Sequence, residues 1–276
     1  MEIIEISDDE RVIETSIKTD KGEVNLIKEE IRAVLGYSKI VKIRGISREK
    51  EIIISTIRMT LQLIFTGYVL VYIFENMNPW ITVLVILIME VFAIQNIFKR
   101  TKDELSKKMK TIIAGSMAAG TLVSLIFFLF VVIQISPWYN PRYFIPIAGM
   151  LIGNSMTGIS LGVDRLVDGM NSKKHMVESS LMLGATPKVA SKEIVDNAFD
   201  AAILPTINSM VGMGIVFLPG MMTGQILSGT SPVTAIEYQI AIMMGILGSV
   251  SLTVILFVQL GYRTFFNDQD QLTLND

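Results

Sequence analysis

The chain has 276 residues, 51% of them hydrophobic and only 18% charged, with a net charge of −2. A mean hydropathy of +0.52 and long windows almost free of charge place it among integral membrane proteins, and so small a net charge gives no basic surface for nucleic acid. With no Cys and a single His, His175, the composition excludes disulfides, Cys-ligated zinc or iron–sulfur centres, thiol nucleophiles and His-rich metal centres.

Residues 1–50 are polar, with acidic groups at Asp8-Asp9-Glu10 and Glu29-Glu30. They lack the basic and then apolar run of a secretory signal peptide. The pattern predicts a short strand over 2–6 and a short amphipathic helix over Val24–Leu35. Six apolar segments follow, at about 52–74, 80–98, 111–135, 142–163, 200–219 and 235–262. Each approaches the ~20 residues a helix needs to cross ~30 Å of hydrocarbon, and none alternates like a barrel wall. The expected fold is therefore all-α and polytopic, with about six transmembrane helices.

Placing 1–51 in the cytoplasm puts 22 of the 24 Lys and Arg residues on that side, in 1–50, 99–110, 164–199 and at Arg263. The positive-inside rule then sets both termini in the cytoplasm of a multi-pass cell-membrane protein, with Trp80, Trp138 and Tyr139 at the outer interface. The tail 268–276 is read as cytoplasmic.

Several polar residues lie inside the apolar segments. Arg58 and Gln62 share one face of the first, where Arg58 either snorkels to the interface or pairs with Glu90, Asp164 or Glu237. Glu90 sits among Ile88, Met89, Val91 and Phe92 and needs a partner, a water-filled cavity or a proton. Asn154, Ser155 and Thr157 act either as glue between helices or as the lining of a path, and Gly149-x-x-x-Gly153 suits close helix approach. Pro219-Gly220-Met221-Met222-Thr223-Gly224 reads as a re-entrant or outer gate loop, because its Pro and Gly residues break a helix. The methionines there and at Met210, Met213 and Met243-Met244 are either packing filler or soft-ion ligands, so the metal-binding residues are left unassigned.

The long polar connection 164–199 is helical in pattern, with a turn at Gly184-Ala185-Thr186-Pro187. Loops of this length in a compact protein usually serve function. Glu178-Ser179-Ser180, three residues, Gly184 and then Ile194 resemble the ATPase-coupling loop of ABC permeases, E-A-A-x3-G-x9-I-x-L-P. Leu204-Pro205 comes later than that pattern requires. Small residues at 179 and 180 allow close seating in a partner's groove, and an ordinary helix–turn–helix connection accounts for the same spacing. Further stretches extend the likeness: Pro141–Met150, Gly153–Met156, Leu218–Gly224, Ala235–Ile240, and Gln62-Leu63 with Gly67–Leu70. Across about 50–267 the chain resembles the FetB-like family of ABC permeases, which includes a bacterial iron exporter and plant aluminium-tolerance relatives.

That resemblance implies a permease domain over 51–267 with a coupling loop at 164–199. It implies a non-catalytic subunit driven by a separate ABC ATPase, ATP bound only on that partner, a homodimer of permeases in lipid, and no cofactor on this chain. The coupling residues would be Glu178, Ser179, Ser180, Gly184, Ala185, Thr186, Pro187 and Ile194, and the cargo metal ions such as iron. Members of the family are also linked to nucleotide sugars. They typically carry one more apolar helix before the span holding Arg58, where this sequence has polar residues 1–50. The chain has no G-x-x-x-x-G-K-[ST] phosphate loop of its own. An ion-coupled secondary transporter using Glu90, or a membrane scaffold, would fit the apolar segments without an ATPase.

Overall fold

A computed structural model describes residues 49–101, 105–134 and 136–273, with the backbone of 18–19 and 22–23. The expected strand at 2–6 and helix at 24–35 lie outside the described residues. The chain divides into two compact units, 1–76 and 77–276. In the first, β1 (Lys18–Thr19) pairs antiparallel with β2 (Gly22–Glu23), and α1 runs Glu49–Glu75. Within α1, Thr56 and Thr60 donate their hydroxyls to the carbonyls one turn back, hiding polar groups from an apolar surround.

The second unit is built on α2 (Pro79–Arg100), α3 (Lys107–Phe127, continued by a π-helical stretch Phe128–Ile133), α4 (Pro141–Ser172) and α9 (Pro232–Gly261). Three of these begin alike, with Asn78-Pro79, Asn140-Pro141 and Ser231-Pro232. The capping side chain accepts a backbone N–H, and Pro fills the first helical position, where no donor is needed. All three starts lie at one end, with Trp80, Trp138 and Tyr139; we call it the aromatic end. The opposite, basic end carries Lys99, Arg100, Lys107 and Arg263.

Among the described residues, five helices are long and apolar enough to cross a membrane: α1, α2, α3 with its π-helical stretch, α4, and α9 with the turn after it. The fifth expected segment, 200–219, differs. Helix α7 (Lys192–Gly212) starts in the polar connection and stops early, a turn occupies 213–219, and α8 (Gly220–Leu227) follows. The reason is packing. Ile194, Ala198, Ala202 and Thr206, spaced by four, form one buried face of α7 against α4, so the helix runs through Asp196 and Asp200.

Helix α4 is the centre of this unit and packs on α2, α3, α7 and α9. Small residues set its approaches. A Cβ on Gly158 would meet Val250 at 2.9 Å, and one on Gly162 would meet Ala202 at 3.5 Å. Between α3 and α9, a Cβ on Gly120 would sit 2.7 Å from the Thr253 backbone. Of the expected Gly149–Gly153 pair, Gly149 faces only the flexible Met89 methyl and Gly153 faces open space. The outward faces of α2 and α3 are apolar, with Leu84, Leu87, Val91, Leu122 and Ile126 exposed as lipid requires.

After α9, a 3-10 turn (Tyr262–Phe265) leads into a hooked segment rather than a loose tail. Phe266 bridges Leu272, and Thr273 N–H donates to Phe265 O at 2.8 Å. The Asn267 side chain holds the loop. Its Oδ1 accepts from Gln269 and Gln271 N–H, and its Nδ2 donates to Gln271 Oε1. Phe265, Phe266 and Leu272 pack on the core, and the hook borders a cavity of about 870 Å³ shared with Lys108, Thr186 and Lys188.

Candidate functional site

Two features stand apart from ordinary packing, a connecting element at the basic end and a polar face on α4 and α7. The connecting element begins where α4 ends at Ser172. Helix α5 (Lys174–Met182) turns back at Gly184, α6 (Pro187–Ala190) follows, and α7 begins at Lys192. Gly184 has φ +90°, with its N–H bonded to Leu181 O and that of Ala185 to Ser180 O. These two bonds form the Schellman end of α5, which places its terminal residue in the left-handed region glycine tolerates. Pro187 opens α6 at the first helical position, and Ser191 caps back onto Pro187 O at 2.7 Å.

The element is anchored. Val177, Ala190, Ser191 and Ile194 are buried, and Ile194 fits the notch left by Gly169, where any Cβ would meet its methyl at 2.5 Å. Lys173 also pairs with Glu193. Of the residues expected to couple, Ile194 is thus a packing residue. Ala185 leans on the core, and Ser179 and Ser180 turn their hydroxyls onto the His175 and Met176 carbonyls. Glu178 is half-buried, 3.8 Å from His175 Nδ1, and Thr186 and Pro187 line the cavity beside the hook. The turn presents an apolar tip that sequence reasoning passed over, with Met182 85%, Leu183 90% and Val189 64% exposed. Its signal was an apolar Leu-Met-Leu run immediately before Gly184.

The second feature runs lengthwise. On α4, Asn154, Thr157, Leu161, Asp164 and Asp168 fall at spacings of three and four, which is one helix face. All are exposed except the half-buried Asp164. On α7 the same spacing selects Asn197, Ala201, Leu204, Asn208 and Val211, exposed except for Ala201. The two faces adjoin, and a cavity of about 510 Å³ opens between them, lined by Asp164, Arg165, Asp168, Leu204, Pro205 and Asn208. Asn154 and Thr157 satisfy one donor each on the carbonyls of Met150 and Gly153. Ser155, their neighbour, points the other way, fully buried and 3.0 Å from the Ser249 hydroxyl of α9. The triplet therefore splits, with Ser155 as glue and Asn154 and Thr157 on the open face.

The other candidates sit elsewhere. Arg58 and Gln62 lie one turn apart on α1, in the first unit. Glu90 on α2 accepts a hydrogen bond from Thr121 of α3 at 3.2 Å, and its buried Oε1 has no hydrogen-bond partner among the described residues. Glu237 is exposed near the start of α9. The Pro219–Gly224 stretch is not the helix break expected of it. Pro219 precedes α8, Gly220 to Gly224 are helical, Met221 packs on the core and Met222 is buried. The break lies at 213–219, where Gly214 N–H donates to Phe217 O. Met213 accepts from Gln239 at 3.7 Å, and Met210 and Met243 also pack as core, the role of filler. Among the described residues no three His, Cys, Asp or Glu side chains are grouped to hold a metal ion.

Comparison with known proteins agrees with this architecture. A 40% identical relative over 78% of this chain and 83% of its own length is a UPF0014 membrane protein of Synechocystis. A second, 37% identical over 82% of this chain and 85% of its own length, is the Escherichia coli protein named "Probable iron export permease protein FetB". A third, 35% identical over 88% of this chain and 85% of its own length, is the Arabidopsis thaliana protein ALUMINUM SENSITIVE 3. No solved structure matches the chain. The model of an uncharacterised protein family, UPF0014, matches residues 32–266, and the chain belongs to that family.

Proposed function

We propose that this chain is the membrane-spanning permease subunit of an ATP-driven exporter of metal cations such as iron. ATP binds and is hydrolysed on a separate ATPase subunit, and the chain itself binds no cofactor. The observation that carries the reading is the apolar tip Met182-Leu183, held at the basic end on a turn keyed into the fold by Ile194. Exposed apolar groups among polar ones mark a protein-binding surface, and here no lipid covers them once the basic end is placed in the cytoplasm. A permease name on a relative 37% identical over most of both chains supports the class and the iron cargo. Asp164 and Asp168 on the open face suit a cation.

The test is co-purification with the cognate ABC ATPase, followed by transport in sealed vesicles. The Met182→Glu, Leu183→Glu double variant is expected to insert normally and to lose the ATPase at least tenfold in apparent affinity. Wild-type complex is expected to move ferrous iron only with ATP. Transport without any ATPase, or ATP-dependent movement of nucleotide sugars alone, would overturn the reading.

A further inference from the structure

The cavity beside the hook, about 870 Å³, takes its walls from the start of α3, the end of α9, α6 and the hook itself. Ile112, Leu260 and Phe266 make its apolar part, and Lys108, Lys188 and Arg263 its cationic part. On the two long helices these parts are layered. Helix α3 enters the membrane from the basic end and α9 returns to it, so Ile112 lies one turn deeper than Lys108, and Leu260 nearly one turn deeper than Arg263. That offset is about 5 Å at the rise of a helix. Cations one turn outside exposed apolar side chains mark the level where phospholipid phosphates give way to acyl chains.

The neutral polar groups around the cavity are already engaged. Thr111 and Thr264 donate their hydroxyls to Lys107 O and Gly261 O, and the Asn267 side chain holds the hook. The Arg263 Nε–H donates to the buried Tyr262 hydroxyl at 3.4 Å, which steadies the guanidinium and leaves its two terminal nitrogens for another acceptor. Asp268 and Asp270 border the same cavity, yet among the described residues neither forms an ion pair with the three cations.

We propose that this cavity binds one anionic phospholipid from the leaflet at the basic end. Lys108, Lys188 and Arg263 hold its phosphate, and the first carbons of its acyl chains lie along Ile112 and Leu260. Three cations against two carboxylates leave one positive charge, the complement of a phosphatidylglycerol headgroup and not of a zwitterionic phosphatidylcholine. A soluble phosphate would use the cations and leave the apolar wall in water. The bound lipid ties α6 to the ends of α3 and α9, so it steadies the connecting element from the membrane side. Neither the site nor its test depends on the transport reading.

The full chain, purified in a neutral detergent, is read by native mass spectrometry with phosphatidylglycerol or phosphatidylcholine added in equal amount. Wild type is expected to retain one phosphatidylglycerol, and phosphatidylcholine roughly tenfold less. Lys108→Gln, Lys188→Gln and Arg263→Gln together are expected to lower phosphatidylglycerol retention roughly tenfold. Lys107→Gln, Lys110→Gln and Lys192→Gln remove the same charge outside the cavity and are expected to leave retention as in wild type. All six side chains are exposed, so both variants keep the core, and melting of each checks it. Added phosphatidylglycerol is also expected to slow amide exchange across 186–191 in wild type only. Equal retention of the two lipids, equal behaviour of the two triple variants, or displacement of the lipid by millimolar inorganic phosphate would each overturn the proposal.

Discussion

At the scale of single residues, this fold depends on where side chains are missing. Gly120 lets α3 and α9 touch, with the Thr253 backbone 2.7 Å from where a Cβ would stand. Gly120→Val must push two helices apart rather than displace a flexible tip. Overpacking of this kind costs about 3 kcal/mol, so unfolding of the detergent-purified protein is expected roughly 10 °C lower. Gly153→Ala, which meets nothing within 4 Å, is expected to melt like wild type. The sequence marks both glycines equally, because only a partner far along the chain tells them apart. Glu90 is a parallel case. Its isolation among apolar residues is plain in the sequence, whereas Thr121, on the next helix, is not readable as its partner.

At the scale of elements, apolar length revealed the spans and periodicity revealed the turn at Gly184. The course of α7 was hidden, because Asp196 and Asp200 lower its hydropathy while Ala198 and Ala202 bury its other side. The break at 213–219 was hidden for the opposite reason, since Ile215, Val216, Phe217 and Leu218 keep the segment apolar where it is no longer helical. The open α4–α7 face was half legible. Asn154 and Thr157 stood out, but their facing residues come from a helix placed elsewhere. The end of α5 makes its own prediction. Gly184→Val forces a β-branched residue into the left-handed region at a cost of about 1–2 kcal/mol. The change is local, so limited proteolysis is expected to cut within 181–189 faster than in wild type, with the melting of the membrane helices unchanged.

At the scale of the whole molecule, the basic end is more ordered than its charge suggests. The hook over 262–273 packs beside α6 and reaches the start of α3, where Thr264 donates to the Met109 sulfur at 3.8 Å. Polar composition hid this, because Asn267 builds the loop from local hydrogen bonds that leave no hydropathy signature. Deleting 264–276 is expected to raise amide hydrogen exchange across 186–191 severalfold, read by mass spectrometry. Exchange in the middle of α4 is expected to stay as in wild type.

The length of α4 has a mechanical consequence. At 32 residues it measures about 48 Å, well beyond the hydrocarbon it crosses. Its basic end is locked to α7 by Ile194 in the Gly169 notch. A rod of that length turns small rotations into travel, so a tilt of about 5° around its midpoint carries each end about 2 Å. A tilt applied at the Gly169 notch therefore moves Pro141, at the aromatic end, by a similar distance in the opposite direction.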